Sequence, residues 1–159
     1  MYQKMLVPLD GSKLAECILP HVKEIARGCN VKEVILLDVV EPFPTMGWIN
    51  KKNDQLVNWH NVQMKAAKEY LEKIQSQLTS EGTMNITIEV VGILEDKAAE
   101  TIIDFARQKG VDIIAIATHG RTGSIGRWVF GSVADRIVHY SHLPVLMVRP
   151  IKSKREQPA

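Results

Sequence analysis

A single doubly wound parallel α/β domain is the fold that this 159-residue sequence predicts. Three observations lead there. Strand-like and helix-like stretches alternate along the chain as βαβαβαβαβ, the order of right-handed crossovers in a parallel sheet. Val34-Ile35-Leu36-Leu37-Asp38-Val39-Val40 is almost unbroken in its apolar character, as suits a strand covered on both faces. A glycine-rich loop joins the fourth strand to the last helix, with glycines at 120, 123, 126 and 131.

Taken in order, residues 4–9 form strand one, and Asp10-Gly11-Ser12 ends it. Pro8 sits at the strand end, where a missing N–H is tolerable. Ser12 can cap a helix over 14–27, in which Leu14, Ile18, Val22, Ile25 and Ala26 recur at helical spacing and Gly28 is the stop. Strand two covers 33–40. Residues 41–54, with Pro42, Pro44, Gly47 and Trp48, are the one long irregular connection. A long helix follows over 56–78. Ile86, Ile88 and Val90 alternate through strand three, 84–91. Helix three runs over 96–109 and stops at Gly110. The apolar run 111–116 is strand four. Ser132 caps a last helix over 133–138, with Asp135 completing a variant capping box. Pro144-Val145-Leu146-Met147-Val148 is strand five. Residues 1–150 make the domain, and 151–159 read as a flexible basic tail carrying Lys152, Lys154 and Arg155.

Composition narrows the function. Twenty basic residues against eighteen acidic leave a formal charge of +2, too balanced for nucleic acid as the main partner. No segment reaches the apolar length that spans a bilayer, so no membrane partner and a cytoplasmic location are expected. Cys17 and Cys29 stand outside any CxxC pair or zinc spacing, and Cys17 reads as a small core hydrophobe. No metal site is expected.

In a doubly wound sheet of order 3-2-1-4-5, ligands lie beyond the carboxyl ends of the strands where the strand order reverses. That point falls between Pro8-Leu9-Asp10 and Ala117-Thr118-His119-Gly120. A strand that empties through glycines into a capped helix is a phosphate-binding arrangement, because free main-chain N–H groups converge on an anion. Gly120 and the Gly131-Ser132-Val133 helix start are the expected donors, with the Ser132 hydroxyl assisting. Arg121 and Arg127 flank the loop, as phosphate partners or as solvated cations. Trp128 and Phe130 read as packing residues. His119 has no nucleophile, second base or metal set around it, so no catalytic residue is assigned and a loop hydrogen bond is its expected role. There is no G-x4-G-K-[ST], and the glycines do not form G-x-G-x-x-G; a dinucleotide cofactor is not expected.

Val7-Pro8-Leu9-Asp10-Gly11-Ser12, the strand-two run, Thr118-His119-Gly120-Arg121-Thr122-Gly123, Gly131-Ser132-Val133-Ala134-Asp135 and strand five together resemble the universal stress protein family. The resemblance covers the chain to about Pro150. It implies an adenine nucleotide, ATP or AMP with optional Mg, held between strands one and four. It also implies that Asp10 accepts a hydrogen bond from the adenine or ribose side, against the alternative of an Asx turn opening helix one. Val39 resembles the residue that packs on the adenine ring, against the alternative of plain core. Pro8, Leu9, Ala117 and Gly123 complete the nucleotide-contacting set. Two departures from the family's G-x2-G-x9-G-[ST] pattern stand out: Ala117 replaces the first glycine, and ten residues separate Gly120 from Gly131. These match the branch that binds no nucleotide and acts as an interaction module. Very slow ATP hydrolysis is a third reading. Strand five is an apolar edge without a charge, which invites pairing with a second copy, and the resemblance implies the same homodimer.

Overall fold

The computed structural model describes residues 1–41, 53–80, 85–93, 97–120 and 131–151. Pro42, Pro44, Gly47, Trp48, Arg121, Gly123, Gly126, Arg127, Trp128, Phe130 and residues 152–159 lie outside the described residues. The elements are β1 (Lys4–Pro8), a 3-10 turn (Ala15–Ile18), α1 (Leu19–Gly28), β2 (Glu33–Val40), α2 (Asn53–Thr79), β3 (Ile86–Gly92), α3 (Ala98–Gln108), β4 (Ile113–Ala117), α4 (Ser132–Tyr140) and β5 (Val145–Val148). The five strands are parallel, in the order β3-β2-β1-β4-β5.

Alternation along the strands splits the core in two. Met5, Val7, Val34, Leu36, Ile113 and Ala115 face Ile18, Val22, Leu71 and Ile74, from the 3-10 turn, α1 and α2. Leu6, Ile35, Leu37, Ile114 and Ile116 face Ile102, Ala106, Ala134 and Ile137 of α3 and α4. The chain therefore leaves β1 toward one face and β4 toward the other. This is the reversal that opens a crevice at the strand ends.

Three local features differ from the sequence reading. The first helix is not continuous from Leu14. Leu19 N–H closes a 3-10 bond on the Glu16 carbonyl, and Pro20 sits in the first turn of α1, where its missing N–H costs no helical bond. Ser12 still caps its start, accepting the Ala15 N–H at 3.1 Å. Second, the left-handed residue that ends α1 is Asn30 (φ 53), not Gly28. Val31 N–H reaches the Ala26 carbonyl at 2.9 Å and Asn30 N–H the Arg27 carbonyl at 3.3 Å, the paired bonds of a Schellman turn. The turn after α3 repeats it with Gly110 (φ 63), Val111 N–H meeting the Ala106 carbonyl at 2.9 Å. Third, Gly131 is the N-cap of α4 and Ser132 its first helical residue, with no side-chain capping bond.

The amino end of the sheet is pinned by Asp112. Its Oδ2 accepts the N–H groups of Gln3 and Lys4 at 2.6 and 2.8 Å. These bonds hold the carboxyl below its ordinary value of 3.8. A depressed folded-state pKa gives stability that is present above 3.8 and lost as pH falls through the folded value. Asp112→Ala should cost about 1 kcal/mol in urea denaturation at neutral pH. The variant should also lose less stability than the parent on acidification below 3.8; parallel acid profiles would contradict the assignment.

Candidate functional site where β1 and β4 part

The two ladders of β1 end at different places. Toward β2 the register runs through Pro8↔Leu37, and Leu9 N–H still donates to the Leu37 carbonyl at 2.8 Å. Toward β4 it stops at Leu6↔Ile114. Main-chain groups alternate sides along a strand. With Leu9 facing β2 and the Lys4 carbonyl accepting from Asp112 on the β4 side, Leu6 and Pro8 also face β4. Pro8 has no N–H, so the seam lacks its next donor and the two strands part. The sequence reading took Pro8 as merely tolerable; its position makes it the residue that ends the seam.

Beyond the parting, the two chains meet through a side chain. Asp10 Oδ1 accepts Ser12 N–H at 3.0 Å, so the Asx turn is present. Its Oδ2 lies against Gly120, where an added Cβ would collide with it. Both readings of Asp10 are thus compatible: one oxygen holds the turn, and the other faces the start of the glycine loop. Thr118 is the hub of the opposite wall. Its N–H donates to the Val148 carbonyl of β5 at 2.8 Å, and its carbonyl accepts Gly131 N–H at 2.7 Å. A Cβ on Gly131 would stand 3.0 Å from that carbonyl, so glycine here permits close approach.

Thr118 Oγ1 and His119 Nδ1 are 2.8 Å apart, so His119 makes the expected loop hydrogen bond. Both side chains are buried, His119 at 4% exposure. His119 Nε2 has no hydrogen-bond partner among the described residues, although burying a polar atom unpaired is costly. At α4, Gly131 N–H and Asp135 N–H are bonded, and the first helical N–H groups between them have no side-chain cap among the described residues. Those donors, with the helix dipole, make this end attractive to an anion.

The remaining sequence-derived residues fall in distinct settings. Pro8 is buried. Leu9, 4% exposed, belongs to the core beneath α1 and α2, which leaves its main chain to line the crevice. Val39 is half-buried against the α3–α4 core. Ala117 is a buried residue of β4, in register with Val148. Ser132 is exposed and Val133 half-buried on the first turn of α4. Arg121 and Gly123 lie outside the described residues.

Sequence reasoning missed an acidic wall. Asp38 is buried in β2, and the Tyr70 hydroxyl of α2 is buried without a hydrogen bond of good geometry among the described residues. Burial and the neighbouring carboxylates of Glu16, Asp10 and Asp38 push the Tyr70 phenol far above its ordinary range. Lys13 holds Glu16 at 2.8 Å. The signal available was Asp38, the single charge within an apolar strand run. Among the described residues, no group of three or more His, Cys, Asp or Glu is placed to hold a metal ion. None of the described helices is long and apolar enough to cross a membrane.

These features define a parallel α/β protein with a crevice at its topological switch point. The family model of the universal stress proteins matches residues 1–149, and the chain belongs to that family. Universal stress protein MJ0577 of Methanocaldococcus jannaschii is 33% identical over 161 aligned positions, covering 94% of this chain and 96% of its own. A solved structure of MJ0577 superposes with a TM-score of 0.78 over 96% of this chain and 99% of that one. A universal stress protein in complex with cAMP has a TM-score of 0.64 at 19% identity, covering 94% and 98% of the two chains. An Arabidopsis thaliana member with AMP bound has 0.57 at 12%, covering 99% and 96%. At those identities the last two speak for the fold.

The Asp10–Gly120 contact is open to a direct test. Gly120→Ala should cost about 1–3 kcal/mol from overpacking. Combined with Asp10→Ala, its cost should largely vanish in a double-mutant cycle. Additive costs would show that the two residues do not meet.

Proposed function

We propose that this protein binds an adenine mononucleotide, ATP or AMP, in the crevice between β1 and β4, and acts as a nucleotide-responsive stress regulator. The observation that carries the reading is the seam that stops at Leu6↔Ile114, flanked by Asp10 against Gly120 and by the uncapped start of α4. The two walls differ in polarity. Carboxylates of Asp10, Asp38 and Glu16 lie toward the α2 side, where a phosphate would be repelled and the amino or hydroxyl groups of a base or ribose accepted. The α4 start offers N–H groups to phosphate.

In this reading Asp10 Oδ2 accepts from the base or sugar, and Val39 packs on the ring. Pro8, Leu9 and Ala117 line the strand ends. The N–H groups of Gly120, Gly131, Ser132 and Val133 meet the phosphates, helped by the Ser132 hydroxyl. His119 Nε2 supplies a further polar contact, and Arg121 and Gly123 belong to the same loop. Mg would accompany ATP through phosphate and water oxygens rather than a protein cage. The AMP and cAMP carried by the two proteins of the same fold support this ligand class. Ala117, the departure that speaks for a nucleotide-free interaction module, is buried within β4; its methyl belongs to the sheet rather than to the loop.

Calorimetry with ATP and AMP tests the reading. Ser132→Ala should weaken ATP several-fold, in line with about 1 kcal/mol for one hydrogen bond. Gly131→Val, which presses a side chain toward the Thr118 carbonyl, should abolish binding. Unchanged affinity in Gly131→Val would overturn the site.

The same chain is proposed to form a homodimer through β5. That strand ends the sheet, and its four apolar residues are all only half-buried. Ile114 N–H bonds the Pro144 carbonyl and Thr118 N–H the Val148 carbonyl. The alternation therefore leaves the main-chain groups of Val145 and Met147 on the open edge, where an antiparallel copy can pair about a two-fold axis. The exposed Val138 and Tyr140 of α4 add apolar surface. Sedimentation should show a dimer at micromolar concentration, and Leu146→Lys should dissociate it. A monomeric parent chain would refute the pairing.

A further inference from the structure

The Val148 carbonyl joins the two walls of the crevice to the edge strand. It accepts the Thr118 N–H at 2.8 Å and, from the 3-10 turn that follows the Asp10 loop, the Cys17 S–H at 3.8 Å. Thr118 in turn accepts Gly131 N–H at 2.7 Å, which ties the start of α4 to the end of β4. His119 is tied to the Thr118 hydroxyl, and the next residue, Gly120, rests on Asp10. Among the described residues, Thr118, His119 and the Gly131 N–H are thus each within one or two hydrogen bonds of the Val148 carbonyl. Val148 is the last residue of β5 and adjoins Met147, whose main chain faces the open edge.

We propose that occupancy of the crevice and association through β5 are thermodynamically linked, with Thr118 as the shared joint. The inference rests on the nucleotide and dimer readings above and adds their regulation. A ligand that draws the α4 start and Gly120 onto its phosphates fixes Thr118, and Thr118 fixes the end of β5. An edge already ordered loses less conformational freedom when a second copy pairs with it. Linkage is reciprocal, so pairing must raise the affinity of each of the two sites by the square root of the factor by which saturating ligand tightens the dimer.

The test uses the intact chain and ATP. Sedimentation equilibrium over a dilution series, with and without saturating ATP, should show dimerisation tightened by about fivefold or more. Calorimetry should show ATP bound more weakly per site, by about twofold or more, the square root of that factor, in a monomeric variant. Met147→Pro suits that purpose, because it removes an outward-facing N–H from an edge strand and leaves the β4-facing carbonyls of Pro144 and Val148 in place. Since Met147 also packs against the α3–α4 core, circular dichroism should first show the variant folded. Equal dimer constants with and without ATP, while calorimetry still registers binding, would overturn the linkage alone. An absence of any ATP heat in the parent chain would overturn the nucleotide reading and the linkage with it. A parent chain that stays monomeric at every concentration would overturn the pairing and the linkage.

Discussion

A hydrogen bond that the sequence forbids organises this molecule. Pro8 stands in the central strand with its nitrogen toward β4, and it has no proton to give. The β1–β2 ladder runs on past it, whereas the β1–β4 ladder stops at Leu6↔Ile114. The remainder of the mouth follows from that asymmetry. Asp10 and Gly120 face each other across the gap, so close that an added Cβ at 120 would force the Asp10 carboxylate to move. In a central strand a proline is a defect unless the gap it leaves has a use. Here the gap coincides with the point where the two crossover directions diverge.

The crevice is electrically asymmetric. One wall gathers Asp10, Asp38 and Glu16 around the buried Tyr70 hydroxyl; the other presents the start of α4 and His119 Nε2, which has no hydrogen-bond partner among the described residues. Such a site orients any ligand that carries an anion at one end and hydrogen-bond donors at the other. Orientation follows from repulsion at the acidic wall as much as from attraction at the helix, which is how a binding site discriminates as well as binds.

Fold class and strand order were legible in the sequence because apolar runs mark the strands and helical spacing marks the helices between them. Local chemistry was legible only where one residue decides it. Ser12 was recognisable as a cap and Gly110 as a helix stop, and the structure places both so. Asn30 rather than Gly28 takes the left-handed position, because the Schellman pairing is set by where the last helical carbonyls fall. The 3-10 turn ahead of α1 was hidden by helical spacing that continues through it. Gly131 displaced Ser132 as cap for a tertiary reason, its close approach to Thr118. Tyr70 could not be found from its own helix, since its role comes from carboxylates on β2 and on the turn after β1. Asp10 and Gly120 were both singled out in the sequence, but their contact belongs to topology alone.

A nucleotide is proposed to bind where β1 and β4 part. Titrating the 15N-labelled protein with AMP and following backbone amide shifts tests it most directly. The account predicts that shifts concentrate at residues 9–12, 39, 118–120 and 131–134 while α3 and the β3 edge stay still. Shifts centred on α2 and β3, or none at saturating AMP, would contradict it.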